Sequence, residues 1–417
     1  MIDIDAGHTV SGGHLAYIQY FYHNLSMPDF DPTTVYQFHH PPLHHYICAL
    51  WMRFLGLFIK DTSLLEESIQ IIPLICSVVT LIFLYKIIKE FNLSFRASSF
   101  IMLIFSFHPA FILLSGSVNN DCMALMFTVM ACFYTIRWGK NQTYKNIIAI
   151  ALCIGLGMST KQNVAELAFP IGIVFLYIFF KNIRKDKKKV SLFIKQFGIF
   201  LLIAAPLGMW FYIRNLVKYD VSMLWVYELP EDSWQYTGNV PVINRFLWPI
   251  PSDIVDNIKN FKIGCGYNVW VSIMRTSVLG EWDMAGVASV VKLISVFLML
   301  TGAVLGIFAF GSFVLTFVTR YSRNRGVHIE KTNSIFFVTA YIVTMIFYLS
   351  FAYKYPQECS MNFRYITIAI LFPAVGAGIC YDKMKRQIFR SVIGLCLAAF
   401  CVLSILMTVI WCFGVGA

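Results

Sequence analysis

The first 45 residues carry acidic and imidazole side chains at a density that the rest of the chain does not repeat. Seven of the nine histidines lie here, together with Asp3 and Asp5. A carboxylate in a loop with few competing acids can deprotonate an attacking hydroxyl when desolvation raises its pKa towards the working pH. The pattern makes Asp5 and Asp3 candidate general bases, although solvated acids near a chain end would give the same pattern.

Four of these seven histidines raise the question of a metal site. His39, His40, His44 and His45 could supply imidazole ligands to zinc. Neither HExxH nor a fixed spacing with cysteine occurs, and adjacent histidines on an extended segment point to opposite sides. Hydrogen bonding to a substrate or to neighbouring loops is therefore favoured. No cofactor is predicted, and a metal ion is left open.

Polar side chains also stand at the ends of apolar runs. Asn120 and Asp121 could cap a helix or support the active-site loop, since acids within membrane segments usually face the protein interior. Lys161, Arg214 and Arg364 lie at predicted outer ends of spans, against the usual bias of positive charge. Their expected partners are ordinary phospholipid headgroups or a lipid-linked phosphate, which arginine can hold through two parallel hydrogen bonds.

The composition shows what must position these groups. The chain is 58% hydrophobic and 13% charged, with a mean hydropathy of +0.68, whereas a soluble domain has roughly 25% charged residues. The formal charge is +11, and the basic residues lie in short clusters between apolar runs rather than on one amphipathic face. Such clusters set the orientation of a membrane protein and give no indication of a nucleic-acid partner. The chain is therefore predicted to be an all-α, polytopic integral membrane protein.

About ten transmembrane helices are expected, because crossing the hydrocarbon needs ~20 apolar residues. A further helix over 43–59 is interrupted by Arg53 and Gly56, and we expect it to be an external juxtamembrane helix, interfacial or re-entrant, on the outer face. The predicted spans cover about 69–89, 96–116, 119–138, 144–160, 165–181, 194–213, 287–319, 333–352, 365–381 and 390–414.

Basic residues decide the predicted topology. Five alternate connectors hold 21 of the 33 lysines and arginines, so these connectors are expected on the cytoplasmic side. The predicted organisation is an external catalytic loop with its juxtamembrane helix over 1–68, transmembrane helices over 69–213, an external loop over 214–286, and transmembrane helices over 287–417. The polar and histidine-rich segments then share the extracytoplasmic face.

With these residues in place, the chain resembles the GT-C superfamily of glycosyltransferases that use polyprenyl-phosphate sugars. The resemblance is to bacterial proteins similar to protein O-mannosyltransferases, in glycosyltransferase family 39, and to ArnT-like enzymes. It extends over nearly the whole chain. The motifs that carry it are an acid followed by Gly12-Gly13-His14-Leu15 and Tyr17-Ile18, then His40-Pro41-Pro42-Leu43, Asn119-Asn120-Asp121, Thr160-Lys161, Pro206-Leu207-Gly208 with Arg214-Asn215, Thr276-Ser277 with Gly280-Glu281, and Phe363-Arg364-Tyr365.

The resemblance implies a GT-C-type fold and inverting transfer of a sugar, hexose or mannose-like, at the extracytoplasmic face of the plasma membrane. The donor would be an undecaprenyl- or dolichyl-phosphate sugar, and the acceptor a hydroxyl of an external glycan, lipid or protein. Asp5 would be the general base, with Asp3 as the second candidate. The resemblance assigns donor-phosphate binding to Arg364, Lys161, Arg214 and Tyr365, and support of the active site to His14, His40, Asn120, Asp121 and Glu281.

Two alternatives follow from the sequence. The family has a transmembrane helix before its catalytic loop, and this chain begins within that loop, so an inactive, truncated membrane partner is one expectation. A transporter or flippase of lipid-linked saccharides is the other. Such a protein would carry ionisable residues near mid-bilayer and paired broken helices in two halves, whereas the charges here avoid the centres of the predicted spans.

Overall fold

A computed structural model describes residues 13–187, 189–252, 266–280, 288–319 and 329–413. These residues form helices joined by turns and irregular segments. The part of the chain so described holds no strand beyond an isolated bridge between Tyr236 and Gln357. The predicted all-α fold is confirmed.

The helices follow one another with short connections through most of the described chain. Three 3₁₀ segments, Gln162–Leu167, Cys359–Met361 and Phe363–Ile370, and a π turn, Val314–Val318, lie between or beside the α-helices of the described chain. The α-helices are α1 (His14–Asn24), α2 (Leu43–Leu55), α3 (Thr62–Ser68), α4 (Ile71–Glu90), α5 (Phe95–Ser106), α6 (Pro109–Gly116), α7 (Asp121–Lys140), α8 (Tyr144–Met158), α9 (Ala168–Ile183), α10 (Lys189–Tyr219), α11 (Val242–Phe246), α12 (Val269–Leu279), α13 (Ser289–Phe313), α14 (Lys331–Lys354), α15 (Leu371–Asp382) and α16 (Gln387–Phe413).

Each of the ten predicted spans coincides with a helical segment. Within the described residues, eight segments are long and apolar enough to cross a membrane, and α5 with α6 makes a ninth that is bent by 57°. The bend lies next to Pro109, which lacks an N–H and disfavours helix at the residue before it. The remaining predicted span is α8, whose 15 residues fall short of the ~20 that cross hydrocarbon.

The segment before the first span contains α1, α2 and α3. The predicted juxtamembrane helix over 43–59 is present as α2, which has 13 residues and is too short to cross. The helix α1 was not predicted from the sequence. The carboxylate of Asp61 caps α3, accepting hydrogen bonds from the backbone N–H groups of Ser63 and Leu64 at 2.9 and 3.3 Å.

The chain divides into two compact units, and unit 1 comprises Met1–Glu90, Leu114–Tyr227 and Lys331–Ala340. In unit 1, α8 packs against α7 and α10. Gly155 permits the close approach of α8 to α10, because a Cβ there would lie 2.7 Å from the Cβ of Leu207. A buried apolar cluster that includes Tyr17, Phe21 and Cys122 packs α1 and α2 against the ends of α4 and α7.

Unit 2 comprises Phe91–Leu113, Glu228–Glu330 and Tyr341–Ala417. Here α15 packs against α5 and α13, and α13 also packs against α16. Gly376 lies against the backbone of α13, where a Cβ would come within 2.7 Å of the Cα of Phe313. The division of the chain into external and membrane segments concerns topology and stays a prediction.

Candidate active site

The predicted site residues fall into three groups. Asp3, Asp5 and Glu281 lie outside the described residues. Unit 2 contains Arg364 and Tyr365. Unit 1 contains the others, which are His14, His40, Asn120, Asp121, Lys161 and Arg214.

Three histidine rings of unit 1 form an imidazole stack, made of His14, His40 and His45. His14 and His45 are buried, and His40 is half-buried. The ring of His14 lies 5.4 Å from that of His40 and 5.1 Å from that of His45, nearly parallel to both. Nδ1 of His14 and Nε2 of His45 are hydrogen-bonded at 2.8 Å. The two predicted support histidines, His14 and His40, therefore lie close together, although they are 26 positions apart in the sequence.

Backbone contacts place the imidazole stack. Gly13 has a φ of 131°, which residues with a Cβ rarely adopt, and its N–H donates to the carbonyl of Tyr36 at 3.0 Å. His14 follows directly and begins α1. At the start of α2, the N–H of Leu43 donates to the carbonyl of Ser159 at 3.0 Å. The segment that carries His40 is thereby tied to the end of α8.

Desolvation favours the neutral form of three imidazoles in this segment. It lowers the pKa of His39 to about 4, and the nearby Lys161 acts in the same direction. Desolvation also lowers the pKa of His40 and of His45 well below the usual value of 6.5. A neutral imidazole has one donor nitrogen and one acceptor nitrogen. The rings of His39, His40 and His45 can therefore donate and accept hydrogen bonds while adding little positive charge.

Acidification should destabilise unit 1 through these groups. His44 is fully buried, and burial lowers its pKa from 6.5 to about 4 although Asp121 opposes this. Between those values the unfolded chain binds a proton that the folded chain does not, so stability is lost as pH falls through this window. His44→Gln should shrink the change in unfolding free energy between pH 7 and pH 5 by roughly 2 kcal/mol. Chemical unfolding in detergent at the two pH values measures it.

The matched control is His23→Gln, at an exposed position of α1. This variant should keep the wild-type dependence of stability on pH. An unchanged pH dependence in His44→Gln would show that the buried ring does not resist protonation.

A buried ion pair joins two turns of unit 1. Nζ of Lys161 contacts Oδ1 of Asp121, and both side chains are almost fully buried. The amide of Asn120 donates to the carbonyl of Thr160 at 2.9 Å, and the side chain of Asn119 accepts from the N–H of Asp121 at 3.1 Å. Lys161, predicted to bind phosphate, thus has its charge balanced by Asp121, predicted to support the loop.

Arg214 is hydrogen-bonded within the protein. Its guanidinium donates to the carbonyl of Pro28 and, at 2.9 Å, to Oδ1 of Asn215. One turn further along α10, Lys218 forms an ion pair with Asp29. These contacts tie residues 28–29, between α1 and α2, to the end of α10. The predicted phosphate-binding role of Arg214 stays a prediction.

Arg364 and Tyr365 lie at the start of the 3₁₀ segment Phe363–Ile370. The side chain of Asn362 caps this segment by accepting from the N–H of Arg364 at 2.9 Å. The guanidinium of Arg364 lies over the ring of Tyr365 and donates to its hydroxyl at 3.3 Å. The N–H of Phe363 donates to Oγ1 of Thr276 at 2.8 Å. The two predicted donor-binding residues of unit 2 thus contact each other.

A buried ion pair near this segment was not identified from the sequence. Nη1 of Arg275 lies 3.1 Å from Oε1 of Glu358, and both side chains are largely shielded from solvent. Arg275 is on α12, and Glu358 directly precedes the 3₁₀ turn Cys359–Met361. The sequence contained a signal for Arg275 as a cation that needs a partner, because it lies in a predicted external segment, as Arg214 does. Its carboxylate partner, 83 residues away, had no such signal.

The metal question stays open. The described residues include no group of three or more His, Cys, Asp or Glu side chains placed to hold a metal ion. Within the imidazole stack, the described polar contact of His45 is with His14. The arrangement described here suits hydrogen bonding between rings.

Comparison with known proteins gives a family match for part of the chain. Residues 39–210 match the family described as dolichyl-phosphate-mannose-protein mannosyltransferase. No curated protein sequence matches. Among solved structures, ArnT from Cupriavidus metallidurans in the apo state matches with a TM-score of 0.39 and 12% identity, over 92% of this chain and 74% of that one. ArnT bound to undecaprenyl phosphate matches with a TM-score of 0.37 and 13% identity, over 91% and 74%.

The apolar helices and the polar groups at their ends define a multi-pass, α-helical membrane protein. Within that class, the family match supports the resemblance that the sequence motifs predict, over residues 39–210.

Proposed function

We propose that this chain is a membrane glycosyltransferase that moves a sugar, hexose or mannose-like, from a polyprenyl-phosphate carrier to an external hydroxyl. The observation that carries the proposal is the family match over residues 39–210. The matched segment contains four of the predicted site residues of unit 1, which are His40, Asn120, Asp121 and Lys161. The family's description names a dolichyl-phosphate sugar as donor. Undecaprenyl phosphate is the alternative carrier of the same chemistry.

In the proposed reaction, Asp5 removes the proton from the acceptor hydroxyl, and Asp3 is the second candidate for this role. The acceptor oxygen attacks the anomeric carbon while the bond from that carbon to the phosphate oxygen breaks. The configuration at the anomeric carbon inverts, and the polyprenyl phosphate leaves with the bonding electron pair. Base catalysis of this kind contributes about 10²- to 10⁴-fold.

The leaving phosphate gains negative charge, so fixed cations near it lower the barrier. Arg364 is the proposed principal partner of that phosphate, with Tyr365 beside it as a hydroxyl donor. Lys161 and Arg214 are proposed as further partners. Lys161 would act with its charge partly balanced by Asp121, and Arg214 would have to share its donors with Pro28 and Asn215.

The remaining residues have proposed supporting roles. The rings of His14 and His40 can orient a sugar hydroxyl or the catalytic carboxylate through hydrogen bonds. Asn120 and Asp121 hold the turn that carries them against the turn of Lys161. Glu281 is proposed as support from the family resemblance alone. The proposed location is the plasma membrane, with these groups on its extracytoplasmic face, and no cofactor is required by the proposed reaction.

Arg364→Ala should weaken donor binding. Losing charge-assisted hydrogen bonds to a phosphate costs about 1.5–3 kcal/mol, on the order of tenfold to a hundredfold in affinity. The measurement is the dissociation constant of a fluorescent polyprenyl phosphate for the purified full chain. Arg364→Lys keeps the charge but loses the planar guanidinium, so its dissociation constant should lie between those of the wild type and Arg364→Ala.

Lys354→Ala is the matched control, since Lys354 is an exposed cation at the end of α14 in the same unit. It should bind polyprenyl phosphate as the wild type does. Donor affinity that is equal in Arg364→Ala and in the wild type would remove Arg364 from the phosphate site.

A further inference from the structure

A basic groove of about 500 Å³ opens on unit 2 where the end of α15 and the start of α16 meet α13. Three cations line it from the connection between α15 and α16, and apolar side chains with one glycine line it from the helices. The residues that matter here are Lys383, Lys385, Arg386, Phe308, Gly311 and Phe389.

The cations of the basic groove are poorly neutralised by the protein. Lys383 lies 3.8 Å from a carboxylate oxygen of Asp382, at the outer limit for an ion pair, and its side chain is 41% exposed. Lys385 and Arg386 are exposed, and neither has a carboxylate within ion-pair distance among the described residues. The described contact of Arg386 is with the ring of Phe389. Two to three positive charges are therefore available to an anion.

The rest of the basic groove suits a hydrocarbon chain. Phe389 is 52% exposed and Ile307 is 76% exposed, and both lie on helices that are long and apolar enough to cross a membrane. Gly311 leaves open space, because a Cβ added there would meet nothing within 4 Å. The π turn Val314–Val318 follows directly and locally widens the helix beside the cavity. The cavity therefore has a charged end and an apolar end.

We propose that the basic groove binds one anionic phospholipid of the adjacent leaflet, with its phosphate at Lys385 and Arg386 and an acyl chain over Gly311. Clusters of basic side chains between transmembrane helices on the cytoplasmic side recognise anionic headgroups. The connector between α15 and α16 is the predicted cytoplasmic one. The acyl chain would fill the space that Gly311 leaves open.

This site is distinct from the proposed donor site. Arg364 lies near the start of the 3₁₀ segment Phe363–Ile370, and Lys383 directly follows the end of α15. The intervening helical turns span on the order of 30 Å. A lipid in the basic groove therefore sits at the opposite end of this helical segment from Arg364, and its binding does not depend on sugar transfer.

The test is a titration of the purified full chain in detergent with phosphatidylglycerol. Native mass spectrometry measures how much lipid the chain retains. Lys385→Gln/Arg386→Gln should lower the affinity for the first bound lipid by roughly fivefold for each cation removed. Gly311→Leu should lower it by a similar factor or more, since the leucine fills the apolar end while all three cations remain. Phosphatidylcholine should be retained much less than phosphatidylglycerol by the wild type.

Two matched controls separate a built site from general surface charge. Gly306→Leu lies on the same helix at another position with open space around its Cβ, outside the basic groove. Lys187→Gln/Lys189→Gln removes two cations of unit 1, one just before α10 and one at its first residue. Both controls should retain phosphatidylglycerol as the wild type does.

Three results would overturn the proposal. Equal losses in Gly311→Leu and Gly306→Leu would show that the cavity is not the binding place. Equal losses of phosphatidylglycerol affinity in Lys385→Gln/Arg386→Gln and in Lys187→Gln/Lys189→Gln would show nonspecific attraction to basic segments. If polyprenyl phosphate at equal concentration displaces phosphatidylglycerol from the wild type but not from Lys385→Gln/Arg386→Gln, the basic groove binds the carrier lipid instead.

Discussion

Asp5→Asn should lower the rate of sugar transfer by about 10²- to 10⁴-fold while leaving the affinity for polyprenyl phosphate unchanged. Asparagine has nearly the shape of aspartate but cannot accept the proton of the acceptor hydroxyl. The donor phosphate is bound by cations in the proposal, so its binding should not need the carboxylate. The measurements are release of polyprenyl phosphate in the presence of acceptor, and the dissociation constant of polyprenyl phosphate, on the same preparations.

Asp3→Asn is the matched control for Asp5→Asn, because it removes an acid two positions away. It should retain most of the transfer activity. If Asp3→Asn abolishes transfer and Asp5→Asn does not, the two acids exchange their proposed roles. If neither variant is slower than the wild type, the general base lies elsewhere.

Lys161→Met should destabilise the folded protein by about 3–5 kcal/mol, because it leaves Asp121 buried without its cation. Asp121→Asn should have a similar effect by leaving Lys161 unpaired. The double variant, which removes both charges, should recover much of the lost stability, since removing a whole buried pair is often nearly neutral. Denaturant unfolding of the purified chain in detergent measures all three.

An exposed ion pair of the same unit supplies the control. The side chains of Lys218 and Asp29 are 48% and 80% exposed, and solvent screens such pairs strongly. Lys218→Met should therefore leave the unfolding midpoint close to that of the wild type. If Lys161→Met is no more destabilising than Lys218→Met, or if the double variant is as unstable as the sum of the single ones, the buried pair does not hold the two turns together.

Most of the helical framework could be predicted because long apolar runs are strong signals. All ten predicted spans coincide with helices, and α2 was predicted within a few residues of its observed end. The short helix α1 was missed, since its sequence HLAYIQYFYHN mixes polar and aromatic residues without a long apolar run. The break between α5 and α6 was also missed, although Pro109 stands at it.

Pairing between distant side chains could not be read from the sequence. Lys161 and Asp121 are 40 residues apart, and Arg275 and Glu358 are 83 residues apart. Charge at an outer span end indicated that Lys161 needs a partner, but an internal carboxylate and a lipid phosphate satisfy that need equally. The contacts of the imidazole stack could not be read from the sequence either. The density of histidines predicted a functional segment, but the contact of His14 with His45 depends on how α1 and α2 pack.

The most direct test of the proposed function compares two measurements on the full chain in vesicles that contain a labelled polyprenyl-phosphate sugar and an external acceptor. One measurement follows release of polyprenyl phosphate with transfer of the sugar to the acceptor, and the other follows movement of the intact labelled lipid across the bilayer. We predict transfer that depends on Asp5 and Arg364, without movement of the intact lipid. Movement of the intact lipid without any release of polyprenyl phosphate would contradict the glycosyltransferase and identify a transporter.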